Sequence, residues 1–148
     1  MQRPNLLELA RRVRPLVGRI ESAQVRRFGR SGLGLAFRTQ VLVLETTGRR
    51  TGRRRQTPLA YLEHDGGWLV SGGAGGQSTV DWVANLRAQP RASVFVGRQQ
   101  VGVVAERVAG DAYDRVHELA MRTWPRIRAY ERRAGRPVPI FVLRPTAP

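Results

Sequence analysis

"QVLVLETTGRRTGRRRQTPLAYLEHDGGWLVS" (residues 40–71) decides how this chain is read, because apolar residues alternate or run together here and do not recur at helical spacing. "QVLVLE" (40–45) is short, apolar and β-branched, the pattern of a buried strand. "QTPLAYLE" (56–63) and "GWLVS" (67–71) read as a second and a third strand, and His64-Asp65-Gly66 between them is a hairpin signal. Between the first two strands, five arginines fall within residues 49–55, bracketed by Gly48 and Gly52. A turn so rich in guanidinium is a solvated basic loop, a nucleic-acid contact or a cradle for one anionic ligand.

Upstream, residues 4–28 read as a helix, with Leu6, Leu9, Val13, Leu16, Val17 and Ile20 at helical spacing and most arginines opposite. Pro4 suits the first turn, and Pro15 should kink the helix or split it. Such a helix either packs on the domain or lies on an anionic bilayer. "SGLG" (31–34) is a hinge, so the expected organisation is 1–34, helix and hinge, then 35–148, one folded domain. Downstream come a short helix within 78–90, a hairpin of 92–96 and 100–108 around Gly97, helices at 111–123 and 125–134, and a closing strand at 138–143. Six strands joined mostly by short turns, with helices at the start, middle and near the end, predict an α+β fold built on a small, mostly antiparallel barrel. Regular strand–helix alternation is absent, which argues against a Rossmann fold.

The 148 residues suit a single core. The formal net charge is +15, and all 26 basic residues are arginine. Basicity of this order predicts anionic company: nucleic acid, an acidic membrane surface or a polyanionic cofactor. The absence of cysteine excludes disulfides, thiolate metal sites and cysteine nucleophiles. No stretch has a signal peptide's apolar core or the roughly 18 apolar residues of a spanning helix, so the expected compartment is the cytoplasm.

His64 in a turn and His117 on a helix lack further ligands at metal-binding spacing, so no metal is expected. Ser71 and Ser78 lack the elbow of a serine hydrolase. "SGGAGGQST" (71–79) follows a strand and opens a helix, where backbone N–H groups collect and anions bind. Gln77 stands where a nucleotide-triphosphate loop needs lysine, and Ser78 where a dinucleotide loop needs glycine. Two candidate anion sites joined by a hairpin suit one long ligand with several negative groups.

"LVLETTGRRTGRRRQTPLAYLEHDGGWLVSGGAGGQSTVDWVANLRAQPRASVFVG", with its T-T-G-R-R-T-G turn, glycine loop and W-x-x-N-L-x-x-x-P helix, resembles the deazaflavin-dependent nitroreductase and quinone reductase family of actinobacteria. The likeness runs from about Ala36 to Leu143, and "RPVPIFVLRP" matches the family's closing strand. It implies a split β-barrel with helices packed around it, and coenzyme F-420, an 8-hydroxy-5-deazaflavin carrying a phosphate and a polyglutamate tail. By the same resemblance, Arg49, Arg50, Thr51 and Arg55 hold phosphate and tail. Thr57, Pro58 and Leu59 line the ring, and Ser71, Gly72, Gly73, Ala74, Gly75 and Gly76 supply backbone contacts. Asp81, Trp82 and Asn85 close the pocket, while Trp124 and Tyr130 serve the acceptor side, Tyr130 as proton donor. Two departures stand out: Ala74 where members often carry lysine, and Ile127 at a possible proton-donor position in "TWPRIRAYERR".

The expected function is hydride transfer from reduced deazaflavin to a hydrophobic acceptor, a quinone or nitroaromatic. Residues 4–28 are a candidate contact for the inner face of an anionic membrane. Two rivals are a basic nucleic-acid-binding module and a deazaflavin carrier without turnover. "GRRTGRRRQT" has no aromatic residue for base stacking, which weighs against specific nucleic-acid binding.

Overall fold

A computed structural model describes Leu16, residues 19–20, 22–27, 40–72 and 81–146. Residues 22–27 are helical, as the periodicity predicts; 4–15 lie outside the described residues. The sheet strands are β1 (Val41–Thr47), β2 (Arg54–Ala60), β3 (Leu62–His64), β4 (Gly67–Ser71), β5 (Arg91–Val96), β6 (Gln99–Arg107) and β7 (Ile140–Pro145). The helices after β4 are α1 (Asp81–Ala88), α2 (Gly110–Thr123) and α3 (Ile127–Ala134).

The sheet has seven strands in the order β2-β1-β5-β6-β7-β4-β3, and every pairing is antiparallel. Six strands were expected. The segment read as one strand over 56–63 divides at Tyr61, whose N–H donates to the Gln40 carbonyl (3.1 Å) and whose ring is buried. Before Tyr61 the chain pairs with β1; after it, with β4. β2 and β3 run in the same direction and form the two edges of the sheet, one residue apart. A sheet whose edges are successive halves of one bent strand must roll up, and it curls into a half-barrel whose two edges meet at Tyr61 without pairing in a ladder.

Alternation along the strands builds two cores. Leu42, Leu44, Val70, Val94, Val103, Phe141 and Leu143 face one side, where α1 adds Trp82, Val83 and Leu86. Trp82 meets Phe141 edge-on, with ring centroids 5.9 Å apart. Leu69, Ile140 and Val142 face the other side and pack under Val116 and Ala120 of α2 and Ile127 of α3. So α1 covers the inner face of the barrel and the α2–α3 pair covers the outer face of β4 and β7. Asp65 (φ 51°) and Gly66 (φ 74°) both take left-handed backbone between β3 and β4, the signature of a tight hairpin turn.

Candidate functional site

Four antiparallel steps separate β1 from β4 across the sheet, so these two strands run the same way and their C-terminal ends lie at the same end of the barrel. The arginine turn follows β1 and the glycine-rich segment follows β4, so the topology places the arginine turn and Gly72, where that segment begins to leave the sheet, at one end. A shallow depression of about 400 Å³ lined by Glu63, His64, Asp65 and Trp68 lies by the β3–β4 turn, at the opposite end.

The arginine turn is held by its own backbone. The Gly48 N–H donates to the Arg53 carbonyl (2.7 Å) and the Gly52 N–H to that of Gly48 (2.8 Å). Gly52 has φ 69°, a left-handed conformation that glycine adopts without strain. Thr51 Oγ1 accepts the Arg53 N–H (3.2 Å), so its hydroxyl stabilises the turn from within.

Asn85 fastens this turn to α1. Its Oδ1 accepts the Arg49 backbone N–H and one guanidinium N–H, both at 3.1 Å, and its Nδ2 donates to Thr46 Oγ1 (3.3 Å). Asn85 and Thr46 are each 2% exposed, so the bond between them is made away from bulk water, while the two bonds to Arg49 are partly buried. Asp81 Oδ1 accepts from both terminal nitrogens of Arg49 (3.3 Å), and its carboxylate sits in the first turn of α1, where the helix dipole favours negative charge. Asp81 opens α1 two residues after the glycine-rich segment, and its ion pair ties the start of that helix to the arginine turn.

The β1–β2 register sorts the remaining arginines. Arg55, Thr57 and Leu59 lie opposite Thr46, Leu44 and Leu42 and share the inner face with them, whereas Arg54, Gln56 and Pro58 face the other way. Arg54 pairs with Glu45 (3.7 Å), which also accepts from Gln56 (2.8 Å). Arg50, Arg53 and Arg55 form no ion pair among the described residues, and all three are exposed. Pro58 and Leu59 therefore point to opposite faces of β2. A proline is tolerated there because an edge strand has a row of N–H groups with no ladder partner.

Of the other expected site residues, Ser71 ends β4 and Gly72 follows it, its N–H donating to the Pro139 carbonyl (2.9 Å). Gly73, Ala74, Gly75 and Gly76 lie outside the described residues. Trp124 caps α2, its N–H donating to the Ala120 carbonyl (2.7 Å), and it packs half-buried against the outer core. Tyr130 is half-buried on α3. Asp81, Asn85, Arg49 and the Arg55 row thus meet on the inner side at one end, while Trp124 and Tyr130 belong to the outer helical layer.

One cluster was not anticipated. His117 Nε2 contacts both carboxylate oxygens of Glu131 (2.9 and 3.0 Å), and Glu131 Oε2 accepts the Val138 N–H (2.8 Å). Tyr113 stacks on His117 (5.3 Å between centroids) and donates its hydroxyl to the Val138 carbonyl (2.6 Å). Burial first, then the charge of Glu131, pushes the Tyr113 hydroxyl up to about 12. The sequence did hold a hint: Tyr113 and His117 are four residues apart on one helical face. Among the described residues no group of three His, Asp or Glu could hold a metal. Nor is any described helix long and apolar enough to cross a membrane.

Among the described residues, three guanidinium groups around the hydrogen-bonded arginine turn have no ion-pair partner. Residues 17–145 match the family described as F420H(2)-dependent quinone reductase. The chain belongs to this family. It is 31% identical over 119 residues to an F420H(2)-dependent quinone reductase of Mycobacterium tuberculosis, covering 78% of this chain and 80% of that protein. A solved F420-H2 dependent reductase superposes with a TM-score of 0.63 at 25% identity, covering 70% of this chain and 93% of that one. The heme storage protein HutZ from Vibrio cholerae shares the fold alone, with a TM-score of 0.56 at 14% identity over 86% of this chain and 92% of that one. The split barrel is therefore the observed architecture, and the family is one of oxidoreductases that use the deazaflavin coenzyme.

Proposed function

We propose that this protein transfers a hydride from reduced coenzyme F-420 to a quinone. The observation that carries the reading is the arginine turn: Asn85 and Asp81 hold it rigid through Arg49, leaving Arg50, Arg53 and Arg55 without ion-pair partners among the described residues. In this reading Arg50 and Arg55 hold the phosphate and polyglutamate oxygens. Arg49 and Thr51 act mainly by shaping the turn. Thr57 and Leu59 on the inner face flank the ring, while the glycine-rich segment from Ser71 to Gly76 supplies backbone contacts beyond Gly72, whose own N–H is taken by Pro139. Asp81, Trp82 and Asn85 support the pocket wall from α1.

The reduced deazaflavin supplies the hydride from its C5 carbon when bound. The protein's part is to orient ring and acceptor and to exclude water. In this reading the quinone reaches the ring from the α2–α3 layer, where Trp124 and Tyr130 lie, and the Tyr130 hydroxyl delivers a proton to the quinone oxygen. The membrane enters through the N-terminal helix. Leu16 and Ile20, four residues apart in sequence, are 57% and 52% exposed, whereas Ser22 and Val25 are buried. An exposed apolar ridge beside Arg19 and Arg26 suits an anionic bilayer, where long-tailed quinones dissolve.

Purified protein mixed with reduced coenzyme F-420 and a short-tailed quinone should re-oxidise the deazaflavin and yield one quinol per cofactor. Arg55→Ala should weaken deazaflavin binding by about 1 kcal/mol, the size of a charge-assisted hydrogen bond made by an exposed side chain. A fluorescence titration in which FMN binds more tightly than the deazaflavin would overturn the reading.

A further inference from the structure

The Tyr113–His117–Glu131 cluster closes on a single residue of the β7 lead-in. Val138 gives its N–H to Glu131 and receives the Tyr113 hydroxyl on its carbonyl, so both of its backbone polar groups are taken by side chains from α3 and α2. The next residue, Pro139, accepts the Gly72 N–H at 2.9 Å. Gly72 opens the glycine-rich segment assigned above to the cofactor, and Glu131 is the chain neighbour of Tyr130 on α3. An unbroken run of hydrogen bonds and two peptide units therefore joins the acceptor-side helices to the start of the cofactor segment.

We propose that Glu131, with His117 and Tyr113, is a positioning residue for the reaction, holding α3 and, through Val138–Pro139, the entry to the glycine-rich segment in one fixed relation. This rests on the functional reading above. The chemistry suits the task. A carboxylate that accepts from an imidazole and a backbone N–H at once fixes the rotation of α3 about its own axis, and with it the direction of Tyr130. Tyr113 keeps its proton far into the alkaline range, so its hydrogen bond to Val138 persists at any working pH. Val138 is only 4% exposed, so water cannot readily replace a partner that is removed. The groups charged or titratable around Tyr113 are Glu131, Arg107 and Asp114, besides the stacked His117.

Three variants of the full chain test this: Glu131→Gln, His117→Ala and His117→Gln. Each is measured for deazaflavin Kd by fluorescence, for quinone KM and kcat, and for amide hydrogen exchange in peptides covering 71–72 and 127–134. Glu131→Gln and His117→Ala should raise both Kd and KM at least threefold, lower kcat through the misdirected Tyr130 hydroxyl and speed exchange in both peptides. His117→Gln, which keeps a donor within reach of Glu131, should restore most of the loss. Normal Kd and KM in Glu131→Gln, or faster exchange confined to 127–134, would overturn the proposal and leave the cluster a packing feature. If His117→Ala does not fold, Tyr113→Phe removes only the bond to the Val138 carbonyl and should still speed exchange at 71–72. A wild-type protein that binds deazaflavin without reducing any quinone would sink the functional reading, while the Kd and exchange measurements would still decide the positioning role.

Discussion

At the scale of single residues, Asn85 does the most with the least. Its amide bridges Thr46 on β1, the Arg49 main chain and the Arg49 guanidinium, and so joins helix, strand and turn at one buried point. Asn85→Ala leaves the Arg49 N–H and the Thr46 hydroxyl without a partner. We expect a loss of about 1–3 kcal/mol in denaturant-derived stability, with weakened deazaflavin binding as the turn loosens. Unchanged urea midpoints would mean that water substitutes for the amide. The W-x-x-N spacing marked Asn85 as a site residue, but no spacing states which atoms it will bond. Tyr130 is the other residue to test. Tyr130→Phe should slow quinone reduction while leaving deazaflavin affinity intact, and normal turnover would give the proton to solvent.

At the scale of elements, hairpins and helices were legible because their signals are local. Asp65-Gly66 takes two left-handed conformations in a row, and Gly97 (φ 59°) turns β5 into β6, both where the sequence marked turns. The division of 56–63 was not legible, since Tyr61 looks like any aromatic strand residue until its two flanks find different partners. The Tyr113 cluster makes a pH prediction. Its hydroxyl is raised from 10.0 to about 12 in the folded chain, so the stability it contributes is complete below 10 and is lost as pH rises through about 12. Tyr61 is also raised, by burial and then by Glu63, and acts in the same direction. Urea midpoints should fall across this range, and Tyr113→Phe should flatten the fall; an equal slope in the variant would remove Tyr113 as its source. For the N-terminal helix, Leu16→Glu with Ile20→Glu should abolish binding to vesicles containing phosphatidylglycerol without lowering the melting temperature. A lower melting temperature would instead place both residues in a packed interface.

At the scale of the whole molecule, a net charge of +15 ensures some attraction to any polyanion. Nucleic acid should therefore bind weakly, with a steep salt dependence and no sequence preference. Sequence-selective binding that survives high salt would revive the nucleic-acid reading. By itself the sequence determined the element types, most turns, the anionic character of the ligand and, through its motifs, the family. These follow from periodicity, backbone preference and charge, which neighbouring residues express without help from the fold. Only the tertiary structure decided that β2 and β3 are the two edges of one sheet, that Arg49 is held by Asp81 and Asn85 while Arg55 shares the inner face, and that Glu131 reaches Val138. Each of these depends on which distant segments lie side by side, and that is set by burying two opposite faces of a single rolled sheet.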